Sequence, residues 1–175
     1  NRQRNYQLIP YGKHNVTWGD ALKVFWQVRF GTLTQGNSIL KFEEEVAKYV
    51  GAKFAVAVSS ATAGLHIALL AADLKPQSSV VTSPLSFVAS SNSILYSSCI
   101  PVFVDIDPNS LALDPKLVFE AITPNTKAVF LTHILGYNGL TDELIDGLRS
   151  RNVLLIEDVC ESHGATHSGQ KVGSF

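Results

Sequence analysis

The sequence predicts a three-layer α/β/α fold built on a mainly parallel sheet, and three observations carry that reading. From residue 54 onward, short apolar runs alternate with segments of helical periodicity. The runs are apolar throughout rather than at every second position, as in strands covered on both faces. Helix starts are clearly marked, for example by Asp114-Pro115, where Pro takes the first helical position.

In chain order, residues 1–11 are polar with a break at Ile9-Pro10 and read as an extended arm. Trp18–Phe30 is the first helix, with Ala21, Val24, Phe25 and Val28 at helical spacing and Thr17 as its N-cap. Gly31–Gly36 is a loop between glycines. Ser38–Val50 is a second helix whose apolar face is Ile39, Phe42, Val46, Ala47 and Val50, and Gly51 stops it. Strands are then expected at Phe54–Val58, Ser79–Thr82, Pro101–Val104, Ala128–Thr132 and Val153–Ile156. The intervening helices are Ala61–Ala72, Ser86–Tyr96, Asp114–Ile122 and Asp142–Ser150. No linker, low-complexity segment or further repeat interrupts this alternation.

A chain of 175 residues with 46% hydrophobic content can bury one sizeable core, which points to one domain. A net charge of −1 offers no electrostatic reason for a nucleic-acid or membrane partner. Cys99 and Cys160 have neither disulfide-framework nor metal spacing and read as buried, reduced residues. No run is long enough to span a bilayer and no signal-peptide pattern opens the chain, so the expected location is cytoplasmic. Lacking an initiating Met and stopping at Gly173-Ser174-Phe175, the chain reads as cut at both ends.

The chemistry concentrates at strand ends. Val153–Ile156 is followed by Glu157, Asp158, Glu161 and His163, at the edge where open α/β sheets hold ligands. A carboxylate there costs several kcal/mol unless a cation pairs with it. At Val58-Ser59-Ser60-Ala61-Thr62-Ala63-Gly64-Leu65-His66, small residues lead into a helix start, which suits a phosphate or other anion; alternatively Ser59 or Ser60 simply caps the helix. Thr82–Val88 sets Phe87 at the same edge, as a ring to stack on a planar ligand or as a core residue. Neither the usual dinucleotide nor the usual nucleoside-triphosphate motif is present. Asp105-Ile106-Asp107 has D-x-D form but precedes Pro108-Asn109 and reads as a turn. His133 reads as a buried, hydrogen-bonded strand-end residue, and His66 as a packed helical one. Asp158, Glu161 and His163 are metal-ligand types without a second cluster, and no metal is assigned.

Together these segments resemble the DegT/DnrJ/EryC1/StrS family of pyridoxal-phosphate (PLP)-dependent nucleotide-sugar aminotransferases. The resemblance rests on Leu33-Thr34-Gln35-Gly36 with Phe42-Glu43, Ser59–His66, Thr82-Ser83-Pro84 with Ser86–Ala89, Val104–Asp107, and Ile156-Glu157-Asp158 with His163-Gly164-Ala165. It runs in register from about Ile9 to Phe175 and is strongest for members of the pseudaminic-acid-pathway type, which aminate 4-keto sugars. The resemblance implies PLP as cofactor in a fold-type-I large domain of the aspartate-aminotransferase kind. Asp158 would pair with the pyridinium nitrogen, Ala61, Thr62 and Ala63 would hold the phosphate, and Phe87 would stack on the ring. Tyr11, Thr32, Leu33 and Thr34 would line the nucleotide-sugar site. Glutamate as amino donor and a homodimeric parent are implied in the same way.

Two departures from the family pattern matter. Glu161 stands where many members have Gln or His, near the cofactor's phenolic oxygen, where an ionised carboxylate repels; it is expected to be protonated or turned away. Some 3-dehydratases of the family have an acidic residue here. The Schiff-base lysine lies beyond Phe175 in the family's pattern, and Lys171 is not in its place. Residues 1–175 are therefore expected to be an arm plus an incomplete PLP-binding domain, lacking the remaining strands, that lysine and the C-terminal small domain, and to be inactive alone. Two other classes stay open: a non-catalytic phosphate- or nucleotide-binding α/β domain, and, third, a metal-dependent hydrolase using Asp158, Glu161 and His163.

Overall fold

The computed structural model describes residues 14–175, so the expected arm and Tyr11 lie outside the described residues. Helix α1, Trp18–Phe30, starts in a capping box: Asp20 N–H donates to Thr17 Oγ1, and the Asp20 carboxylate accepts from Thr17 N–H at 2.9 Å. Helix α2 spans Asn37–Val50 and ends at Gly51, whose φ of +81° favours glycine. The boundary between two compact units falls between Lys41 and Phe42.

The larger unit holds the sheet. After helix α3 (Ala61–Ala71) come β1 (Ser79–Thr82), α4 (Val88–Tyr96), β2 (Ile100–Phe103), α5 (Pro115–Ala121), β3 (Thr126–Thr132), α6 (Asp142–Ser150) and β4 (Leu154–Asp158). The four strands are all parallel in the order β2-β1-β3-β4. The fully apolar runs of the inner strands have the predicted cause: successive side chains enter two different cores. Val80, Ala128 and Phe130 pack with Leu69 of α3 and Ile94 of α4. Val81, Val129 and Leu131 pack with Val118 of α5 and Leu144 and Leu148 of α6. Each of the fully buried Val, Leu, Ile and Phe side chains contributes about 1.5–3 kcal/mol. The three-layer expectation holds.

The same period of two separates the neighbours at the end of β4. Ile156 belongs with the α3/α4 layer and Leu155 with the α5/α6 layer, so Asp158 and Glu157 leave the strand on opposite sides.

Two expectations are corrected, and one element is new. Phe54–Val58 forms no strand: Phe54 and Val56 are exposed, and the N–H of Ala57 donates to the Glu43 carboxylate at 2.8 Å instead of to a ladder. An apolar run becomes a strand only beside a partner, and no strand pairs with this one among the described residues. The helix expected from Ser86 begins at Val88, because Ser86 and Phe87 precede its first turn. A hairpin of β5 (Thr166–His167) and β6 (Gln170–Lys171) was not anticipated. No helix among the described residues is long and apolar enough to cross a membrane.

Candidate functional site

The C-terminal ends of β3 and β4 and the N-termini of α3 and α4 surround a cavity of about 450 Å³. Its wall includes Ala61, Thr62, Ser86, Phe87, Thr132, Asp158 and Glu161, and no lysine, arginine or histidine among the described residues. This is the strand-end crevice in which open α/β sheets hold ligands.

Asp158 is 4% exposed. Its Oδ1 accepts from Cys160 N–H at 3.0 Å and its Oδ2 from the Ser90 hydroxyl at 3.4 Å. At the entrance to α3, Ser60 is the N-cap, its Oγ accepting from Ala63 N–H at 3.2 Å. The capping alternative read from the sequence is therefore what the helix start shows. Ser60 caps the helix through Ala63, while Ala61 and Thr62 line the cavity with first-turn N–H groups that have no acceptor within the helix. Ala63 is not part of the cavity wall. Phe87 is 73% exposed, so it is no core residue; it stands on the wall.

Glu161 also borders the cavity, and its carboxylate accepts from Leu135 N–H at 2.9 Å. Thr32, Leu33 and Thr34 belong to the smaller unit, where the Gln27 side chain ties the loop by donating to Thr32 O at 2.7 Å and accepting from Ser38 Oγ at 3.0 Å.

Behind the cavity, on the other face of the sheet, lies an arrangement the sequence reading only half anticipated. His133 is buried and hydrogen-bonded as expected, but its partner is Glu157, with Nε2 and Oε2 3.0 Å apart. Gly139 N–H donates to Nδ1, so Nε2 carries the ring proton and donates to Glu157. The Glu157 carboxylate also accepts from Gly173 N–H and Phe175 N–H, at 2.8 and 3.0 Å. Burial is the largest influence and pushes this carboxyl up, but the bonds from His133, Gly173 and Phe175 outweigh it and leave it below its ordinary value.

Cys99 is buried as expected, but Cys160 is exposed at the cavity edge. Burial of its sulfur and the adjacent Asp158 carboxylate push its thiol up to about 12, so it stays an unreactive thiol. Asp107 accepts from Asn109 and Ser110, the turn expected of the D-x-D segment. His66 packs edge-on against Tyr96. Among the described residues no three His, Cys, Asp or Glu side chains are grouped to hold a metal ion.

A profile of the DegT/DnrJ/EryC1/StrS aminotransferase family matches residues 20–175. The chain belongs to this family. It is 35% identical to the spore coat polysaccharide biosynthesis protein SpsC of Bacillus subtilis over 173 residues, 99% of this chain and 44% of that one. It is 40% identical to GDP-perosamine synthase of Caulobacter vibrioides over 140 residues, 80% of this chain and 38% of that one. The solved structure of Escherichia coli GDP-4-keto-6-deoxy-D-mannose-3-dehydratase, which holds hydrated PLP, matches with a TM-score of 0.87 at 29% identity, covering 97% of this chain and 46% of that one. The chain thus spans under half the length of each relative. Its architecture is part of the fold-type-I domain of PLP enzymes.

Proposed function

We propose that the chain forms the cofactor-binding part of a PLP-dependent aminotransferase that acts on a keto-sugar nucleotide in amino-sugar formation for a surface polysaccharide. Asp158 carries this reading. It is a buried carboxylate on a cavity wall that has no cationic side chain among the described residues. Burying such a charge unpaired costs several kcal/mol, and a pyridinium N–H supplies the missing partner.

The other donors fit the same group. The N–H groups of Ala61 and Thr62, at the positive end of α3, suit its phosphate, and the exposed Phe87 ring suits its aromatic face. When bound, PLP supplies the electron sink for proton loss from an amino donor. The residues of this chain hold and orient it: Asp158 keeps the ring nitrogen protonated, and Cys160 N–H fixes the carboxylate plane. Glutamate as donor, a homodimeric parent, and Tyr11, Thr32, Leu33 and Thr34 at the sugar nucleotide complete the reading. A 3-dehydratase of the same family is the second reading, favoured by the acidic Glu161 on the cavity wall.

The test is titration of the 175-residue polypeptide with pyridoxamine phosphate, which forms no Schiff base with surface lysines. The expected result is saturable binding at one site, without transamination, since no lysine among the described residues lines the cavity; the Lys171 Nζ lies instead over the Tyr49 ring, 4.4 Å from its centre. Absence of binding, or transamination by this polypeptide alone, overturns the reading.

A further inference from the structure

We infer that Ser90 and Ser86 are positioning residues that act on the cofactor ring through Asp158, as the inner members of a one-way hydroxyl chain that starts at Thr132. Ser90 Oγ donates to Asp158 Oδ2 at 3.4 Å and lies 2.6 Å from Ser86 Oγ, which in turn lies 3.0 Å from Thr132 Oγ1. Each hydroxyl has one proton to give, and an ionised carboxylate only accepts. With its proton committed to Asp158, Ser90 accepts from Ser86, and Ser86 accepts from Thr132. The charge on Asp158 therefore sets the direction of the whole chain.

The fold builds this chain from two elements. Ser86 and Ser90 are four residues apart at the entrance to α4, one helical turn, and meet the ends of β3 and β4 on the side away from Glu157. Ser90 is 1% exposed, so bulk water does not replace its bond, and in such surroundings each hydrogen bond polarises the next. At the outer end Thr132 is on the cavity wall with its proton turned inward to Ser86.

This inference rests on the cavity being the PLP site, and its test separates the two. The affinity for pyridoxamine phosphate, and for its 1-deaza analogue in which carbon replaces the ring nitrogen, is measured for the wild type, S90A, T132V and the double variant. S90A is expected to weaken pyridoxamine phosphate roughly tenfold and to leave the analogue unchanged, because the chain acts only through the nitrogen's partner. T132V is expected to weaken pyridoxamine phosphate by a smaller factor and to add nothing in the S90A background.

Equal loss for both ligands, no loss, or additive effects overturn the chain. If S90A does not fold, S86A breaks the chain one link further out, at a half-buried position, and must show a smaller loss with the same selectivity and the same silence of T132V. A wild type that binds neither ligand overturns the cofactor reading, and the chain's role with it.

Discussion

Replacing Asp158 with Asn lowers the affinity for pyridoxamine phosphate by about a hundredfold, the upper range for a charge-assisted hydrogen bond. Two effects add. The amide carries no charge to hold a proton on the ring nitrogen. It also has one acceptor where the carboxylate has two, and both carboxylate oxygens are in use, by Cys160 N–H and by the Ser90 hydroxyl. Turned one way, its NH2 faces the Cys160 N–H, donor against donor; turned the other, it faces Ser90 Oγ, which must then accept and reverse its own hydrogen bonds. The titration that measures wild-type binding measures this loss, and D158N binding within a few-fold of wild type contradicts the assigned role.

Replacing Glu157 with Ala costs about 3 kcal/mol of stability, since it strips the acceptor from the buried His133 donor, worth roughly 1–3 kcal/mol when left unmet, and from two more accessible backbone N–H groups. Those donors are His133 Nε2, Gly173 N–H and Phe175 N–H. Its sign with pH follows from the lowered carboxyl. The Glu157 contribution is complete above the ordinary value of 4.5 and is lost as pH falls through the depressed folded-state value. Urea unfolding across the acid range should show the wild-type advantage over E157A constant near neutrality and shrinking only below that ordinary value. An advantage that shrinks between pH values well above it contradicts the assignment.

The fold was legible where one element carries its own signal. Asp114-Pro115 announces α5, with Asp114 accepting from Lys116 N–H, and the fully apolar 128–131 run announces a strand between two cores. Phe54–Val58 carries the same apolar signal and yet forms no strand, because a strand needs a neighbour that the run itself does not name. The β5–β6 hairpin had a readable cue that went unused. Ser168-Gly169 is a two-residue turn with φ of +49° and +83°, the left-handed pair that hairpins favour.

Asp158, Phe87, Ala61 and Thr62 could be singled out in the sequence because strand ends and helix starts are where ligands sit, and all four line the same cavity. Ser86, Ser90 and Thr132 were missed as a group. Serines four apart read as ordinary helix-start residues until β3 is seen beside them. Glu157 was read as part of the same cluster as Asp158, although strand alternation alone places adjacent residues on opposite faces.

The most direct measurement is a crystal structure of the 175-residue chain soaked with pyridoxamine phosphate. The account predicts the ring nitrogen within hydrogen-bond distance of Asp158, the phosphate on the N–H groups of Ala61 and Thr62, and Phe87 against the ring. A ligand bound in this cavity with its phosphate at Asp158's end, or bound elsewhere with Asp158 left without a cationic partner, contradicts it.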